Sequence, residues 1–400
     1  MKIKMIVLAC LLLVCHGLYG QQKWLFQTTE VFNAQRLGYS TTRIPALVLT
    51  GKGTLLAFCE GRVSSASDWA SMDILMRRST DGGDSWSKPF VIAERDTVGR
   101  PTTNSVPIVD RDGSIHFLYE RNLNGAHFYY VRSIDDGVTW SSPRDITGVI
   151  DQYKPEYDWK VAAPGPGHGI QLLNGRLVVP IWLCDPDSTI PGGSQRPSCV
   201  ATIYSDDHGA NWKRGDLITD NGDAINGIAD TVVNPSESVL VELNDGTVMM
   251  NLRSESRSHK RLVFYSPDGA SHWSGPALDE KLYEPICMAS MISLNRFSGK
   301  DYLLFCNPDS RNDPASRNLL AGKSGKRENL SLKLSYDAGK SWPVNKVIDA
   351  GPSSYSDMTV SKKGIVYVLY EHVEGFGKWT PQIMLARLNL SWLTDGKFSH

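Results

Sequence analysis

Ser79-Thr80-Asp81-Gly82-Gly83-Asp84-Ser85-Trp86 is one of five copies of a short pattern in this chain. Ser133 to Trp140 (SIDDGVTW), Ser205 to Trp212 (SDDHGANW) and Ser335 to Trp342 (SYDAGKSW) repeat it. Ser266 to Trp273 (SPDGASHW) keeps the Ser, Asp and Trp but has Ala270 where the others have Gly. The shared form is Ser-x-Asp-x-Gly-x-x-Trp, and the starts lie 54, 72, 61 and 69 residues apart. A unit recurring at such intervals marks a repeat architecture.

Asp accepts hydrogen bonds from backbone amides two residues on and so closes a turn. Gly reaches a backbone conformation that strains other residues. Trp buries a large apolar face, and its indole N–H calls for one partner. Each box therefore predicts a turn between two strands, pinned by an aromatic ring. Short strand-like runs precede the boxes at residues 73–78 (DILMRR), 127–132 (HFYYVR), 262–265 (LVFY) and 330–334 (LSLKL). They are β-branched or aromatic and partly alternating. The boxes are fold staples and carry no chemistry of their own.

Working outward, helical patterns are scarce, and 35 Gly and 21 Pro are spread along the chain, as many short strands and turns require. The expectation is an all-β chain. Residues 1 to about 20 read as a signal peptide, with Lys2 and Lys4 before an apolar run, Ile6 to Val14, and small residues before Gln21. That run is too short to span a bilayer comfortably. Val14 stands before Cys15 where a lipoprotein would carry a small residue, which favours cleavage and release into the periplasm or medium over lipid anchoring. Residues 21–400 then form one domain, larger than a single simple core usually is, and stacked repeats allow that size. The net charge of −1 suggests no nucleic-acid surface.

Cys59, Cys184, Cys199, Cys287 and Cys306 remain after the signal, an odd number that cannot all pair within the chain. Cys184 and Cys199 flank a Pro/Gly/Ser loop and are candidates for a bridge, while Cys59 reads as a buried strand residue. No His/Cys cluster has zinc spacing, so no metal is expected.

Several polar residues stand where strand patterns call for apolar ones. Arg43 opens RIPALVL, Arg62 ends LLAFCEGR, and Asp68 follows in a Ser-rich loop. Glu237 starts ESVLVE, Arg253 ends VMMNLR, Arg327 precedes ENLSL, and Tyr355 sits in GPSSYSDM. Arg-Ile-Pro, then Glu-Gly-Arg, then repeated Asp boxes, then Tyr-Ser-Asp resembles the exo-sialidases, from about Phe26 to the end of the chain. Thr103 to Pro107 (TNSVP) and Gly165 to Leu172 (GPGHGIQL) look like segments of the same family.

The resemblance implies a six-bladed β-propeller of four-stranded antiparallel blades, with the active site on its axis and a closing blade built from both chain ends. It places an arginine triad on Arg43, Arg253 and Arg327, with Arg62 as companion. It also makes Asp68 the acid/base, Tyr355 the nucleophile and Glu237 its carboxylate partner. Arg311 and Arg317 lie near Arg327, which is preferred because it abuts the strand leading into the last box. Trp69, Asn104, Tyr157, Trp159 and Asp185 are candidates for contacts to the N-acyl group or glycerol tail, and His168 borders the pocket or supports its backbone.

These residue types suit the chemistry. Three guanidiniums can hold a sialic acid's carboxylate through charge-assisted bonds. A tyrosine nucleophile avoids the clash that a carboxylate would meet with that anion, and sialidases are an exception to the two-carboxylate scheme. The implied activity is hydrolysis of terminal α-linked sialic acids from oligosaccharides, glycoproteins or glycolipids, with retention through a covalent tyrosyl intermediate and no cofactor. Two alternatives stay open: a propeller glycosidase for another acidic sugar, and a non-catalytic sialoglycan-binding propeller.

Overall fold

The computed structural model describes residues 24–96, 98–189, 193–295, 299–373 and 382–397. The signal peptide expected over residues 1–20, with Cys10 and Cys15, lies outside the described residues. The fold is all-β apart from short helical turns. No helix among the described residues is long and apolar enough to cross a membrane.

The first strand, β1 (Phe26–Phe32), does not join the strands that follow it. The first blade orders β2 (Thr41–Leu49), β3 (Leu55–Arg62), β4 (Met72–Ser79) and β5 (Phe90–Ala93) side by side, all antiparallel. The second is built the same way from β6 (Thr102–Val109), β7 (Ile115–Arg121), β8 (His127–Ser133) and β9 (Arg144–Asp145). The third runs β10 (Val161–Pro164), β12 (Leu177–Cys184), β13 (Ser198–Ser205) and β14 (Lys213–Asp220), with the short β11 (Ile170–Gln171) also on β12. The fourth comprises β15 (Ser238–Glu242), β16 (Val248–Leu252), β17 (Lys260–Ser266) and β18 (Ser274–Tyr283).

The remaining strands depart from the expectation of six separate blades. Among the described residues they form one seven-stranded sheet. It contains β19 (Ser290–Ser293), β20 (Leu303–Pro308), β21 (Glu328–Ser335), β22 (Val344–Val360), β23 (Ile365–His372) and β24 (Gln382–Asn389), and ends on β1. The cause is β22, which runs unbroken for 17 residues. Its first half, to Pro352, pairs with β21, and its second half, from Ser353, pairs with β23. The architecture is therefore a propeller-like arrangement of four blades plus this larger sheet. Both ends of the chain do meet, because Phe26 of β1 lies opposite Leu388 of β24.

The first strands of the sheets face one another around a centre: β2 contacts β6 and β22, β6 contacts β10, and β19 contacts β15 and β22. Between sheets lie apolar layers. One combines Leu55, Ala57 and Cys59 of the first blade with Leu369, Ile383 and Leu385 of the larger sheet. Another sets Phe58 on Phe117 of the second blade with ring centroids 4.9 Å apart.

The boxes join the third and fourth strands of their units, and their hydrogen bonds are local. In the first, the Gly83 N–H donates to Ser79 Oγ at 2.8 Å and the Ser85 N–H to Asp81 Oδ1 at 2.9 Å. The second, third and fifth repeat both contacts at 2.8–2.9 Å. In the fourth, Gly269 takes the glycine's place one residue early, donating to Ser266 Oγ at 2.9 Å. The Asp thus reaches four residues on in the regular boxes, not two. Of the box tryptophans only Trp342 has a partner for its indole N–H, Asp279 Oδ2 at 2.8 Å. The others keep their rings against the interblade layers.

Box glycines also meet the preceding sheet. A Cβ on Gly83 would lie 2.6 Å from Leu385 of β24, and one on Gly209 would lie 2.5 Å from the Tyr130 hydroxyl and 2.8 Å from His116 Nδ1 in the second blade. These two turns therefore seat against their neighbours where no side chain fits.

The anticipated Cys184–Cys199 bridge is absent, and all five described cysteines are free and buried. The two residues lie on paired strands, but Cys184 is opposite Ser198 and Cys199 opposite Leu183. This one-residue offset turns them to opposite faces, Cys199 into one core layer and Cys184 into the next.

Candidate active site

Seven residues singled out from the sequence border one cavity of about 150 Å³: Arg43, Arg62, Asp68, Glu237, Arg253, Arg327 and Tyr355. Arg43 lies within β2, Arg62 ends β3, and Asp68 sits in the loop before β4. Glu237 and Arg253 flank the β15–β16 hairpin, whose ladder extends one step so that the Arg253 N–H donates to the Glu237 carbonyl at 3.0 Å. Arg327 precedes β21, and its carbonyl accepts from Ser353 N–H of β22 at 3.0 Å, two residues from Tyr355. Antiparallel pairing thus collects residues far apart in sequence.

Tyr355 donates its hydroxyl hydrogen to Glu237 Oε1. Arg253 Nη1 donates to Glu237 Oε2 and, at 2.9 Å, to the Tyr355 oxygen. The guanidinium carbons of Arg43 and Arg327 stand 5.4 and 5.7 Å from the centre of the Tyr355 ring. Tyr355 is 6% exposed. Burial, followed by the nearby Glu237 charge, pushes the phenol well above its ordinary range, against the pull of Arg253 and Arg327. The phenol is therefore protonated at rest, and its only direct route to a nucleophilic oxygen is transfer to the carboxylate it already touches.

Asp68 faces this group from the first blade. Burial works against its charge, yet Arg62 at 2.8 Å and Arg43 at 3.7 Å hold its carboxyl below the usual range. Arg62 is fixed from behind by Glu60, buried and 2.7 Å away. Glu60 also accepts the Asn104 N–H at 3.1 Å. Arg43 Nε lies 3.3 Å from Glu371 Oε1, which accepts the Ile44 N–H at 2.9 Å. Arg62 and Arg43 thus each have a buried carboxylate behind them, which offsets the repulsion between these two cations.

Not all expected contacts are in the lining. Asn104 borders the cavity, but Trp69, beside Asp68, is exposed and does not. Tyr157 packs against the core of the third blade and donates to the Pro197 carbonyl at 3.1 Å. Trp159 is buried with its indole N–H on the Ile150 carbonyl, and the Asp185 N–H bonds to the Tyr157 hydroxyl. These residues support a wall and do not face the opening. His168 pairs through Nδ1 with Asp357 Oδ1 at 2.6 Å and is also outside the lining, which favours its supporting role. Arg311 binds Asp309, Arg317 caps the Asn312 carbonyl, and neither borders the cavity.

Sequence reasoning missed a second arc of the lining, in which Arg196 pairs with Glu255 at 2.5 Å and Asn234 donates to Glu255 at 3.0 Å. Arg196 lies in an irregular loop with no strand pattern to mark it. Among the described residues, one group elsewhere has ligand-type spacing, Asp110, Asp112 and His208. The Asp110 oxygens already accept from Gln171, His208 and the Asp112 N–H, and His116 lies 3.2 Å away. None of the three borders the cavity.

Residues 53–368 match the family described as "BNR repeat-like domain". The chain is similar to a protein named "Sialidase" from Micromonospora viridifaciens, 31% identical over 385 residues, which cover 90% of this chain and 53% of that protein. It is also similar to a "Sialidase" from Bacteroides fragilis (strain YCH46), 32% identical over 363 residues, covering 82% of this chain and 59% of that one. The chain thus spans little more than half the length of these relatives. Among solved structures, "Hadza microbial sialidase Hz136" superposes with a TM-score of 0.74 at 26% identity, covering 92% of this chain and 69% of the other.

Proposed function

This chain belongs to the sialidase family with BNR repeats, and on that premise we propose that it is an exo-α-sialidase releasing terminal α-linked sialic acids from glycoconjugates. The observation that carries the proposal is the hydrogen-bonded group of Tyr355, Glu237 and Arg253, flanked by Arg43 and Arg327 and faced by Asp68 in one cavity.

In this mechanism Arg43, Arg253 and Arg327 hold the substrate carboxylate. The Tyr355 oxygen attacks the anomeric carbon as its proton passes to Glu237. The glycosidic bond breaks, its electron pair leaves on the departing oxygen, and Asp68 supplies the proton. Asp68 then takes a proton from water, which attacks the same carbon. Tyr355 leaves and recovers its proton from Glu237. Two displacements at one carbon give net retention. Asp68 is ionised at rest, so acting as an acid requires protonation against the hold of Arg62 and Arg43.

Two finer readings accompany the proposal. The seven-stranded sheet counts as two blades sharing β22, which makes six in all. Residues 1–20 act as a cleaved signal that sends the domain to the periplasm or medium. Assay of a fluorogenic sialoside beside a uronide tests the activity. Turnover of the sialoside alone is expected, and turnover of the uronide alone, or of neither, overturns the proposal.

A further inference from the structure

Behind the cavity lies an ion pair that the proposed chemistry does not use. Arg261 of β17 and Glu284, just past β18, are both fully buried and joined through Arg261 Nη1 and Glu284 Oε2. Arg261 also donates from Nε to Asn251 Oδ1 at 2.6 Å and from Nη1 to the Cys287 carbonyl at 3.2 Å. The other Glu284 oxygen accepts the Cys287 N–H at 2.9 Å. Every one of these bonds grips the segment from Glu284 to Cys287 or anchors the pair to β16.

That segment contains Ile286 at φ +61°. A β-branched residue in the left-handed region is a genuine outlier and persists only where its surroundings over-determine it. The bent backbone turns the Ile286 carbonyl onto Arg327 Nη2, while Nη1 of the same guanidinium donates to Ser354 Oγ at 3.3 Å. Two fixed acceptors on two nitrogens set the plane of the fork. Glu284 also adds to the negative field that keeps Arg253 charged. The pair therefore reaches Arg327 through the Ile286 carbonyl.

We infer that Arg261 and Glu284 are positioning residues for the carboxylate grip: by holding the turn at Ile286 they aim Arg327 at the substrate's anionic group. This rests on the sialidase reading of the cavity.

The test compares the unsaturated 2,3-didehydro analogue of sialic acid, as the free acid and as its methyl ester, against wild type and Glu284→Gln. An aimed grip discriminates acid from ester. In Glu284→Gln the acid should lose affinity about tenfold or more, with the ester changed by no more than about twofold, and KM for a sialoside should rise more than kcat falls. Glu284→Gln leaves Arg261 as a buried unpaired cation and risks misfolding. The double variant Arg261→Gln with Glu284→Gln removes both charges and should show the same selective loss. Equal weakening of acid and ester, or retained discrimination, in whichever variant folds overturns the positioning role alone. A wild type indifferent to esterification overturns the carboxylate grip and this inference with it.

Discussion

Tyr355 donates its hydroxyl hydrogen to Glu237, a carboxylate 118 residues earlier in the chain. The contact joins β22 to the mouth of the β15–β16 hairpin. It pairs an acid too weak to ionise by itself with the group that can take its proton.

Tyr355→Phe should lower turnover of a sialoside by at least about a thousandfold, the scale of losing a nucleophile. The ring and its neighbours stay, so melting temperature and binding of the unsaturated analogue should be close to wild type. A fluorinated sialosyl fluoride should label the wild type on a peptide containing Tyr355. Mass spectrometry that places the label on Asp68 or Glu237 instead would reopen the case for a carboxylate nucleophile.

Asp68→Ala should impair a natural sialoside far more than an aryl one, because a phenol of low pKa departs with little protonation. The pH dependence follows from the same residue. Arg62 and Arg43 hold Asp68 below the carboxylate range, so its acid form, and with it kcat/KM for natural substrates, should still be growing as pH falls below the ordinary carboxylate range. The aryl substrate should show a flatter profile. Parallel profiles for both, measured over the same range, would remove Asp68 from the acid role.

Arg327→Lys keeps the charge and loses the fork, so KM for a sialoside should rise about tenfold or more. Arg311→Lys and Arg317→Lys should leave KM near wild type, because both residues are committed elsewhere. The opposite ranking in steady-state kinetics would show that the third arginine is misassigned.

Gly209→Ala should destabilise the fold by roughly 2–4 kcal/mol, combining a left-handed backbone with overpacking. The added methyl would press on Tyr130 and His116. Gly222, with φ +98° but open space around it, is the matched control and should lose only about 1 kcal/mol on the same change. Urea unfolding measures both. Equal losses would mean that the box turn does not bear on its neighbour.

The boxes were legible because their bonds are made within five residues, so Ser, Asp and Gly spell the turn they form. The group proposed as catalytic was legible only as a family resemblance, since nothing local in Arg43 or Tyr355 says that they meet. The buried carboxylates Glu371 and Glu284 were invisible for a physical reason. Each sits in or beside a strand, looks like any solvated charge, and acquires its meaning from burial against a distant cation. The merging of the last strands into one sheet was not legible, because it depends on β22 running unbroken through Gly351 and Pro352. Tyr157 and Trp159 lie outside the cavity lining, because a polar aromatic near the right motif packs into a blade as readily as it faces a cavity.

The pairing of β1 with β24 has a consequence for biogenesis. The backbone of Leu25 bonds to Asn389, 364 residues later, so the second partner leaves the ribosome long after the first. At ordinary translation speeds the first strand waits roughly 20–70 seconds as an unpaired edge. The ring cannot clasp until the last strand is released, and a chain stopped before residue 382 should remain open and sensitive to protease. What is lost by such a truncation is the closure itself, so protease sensitivity reads whether β1 has met β24.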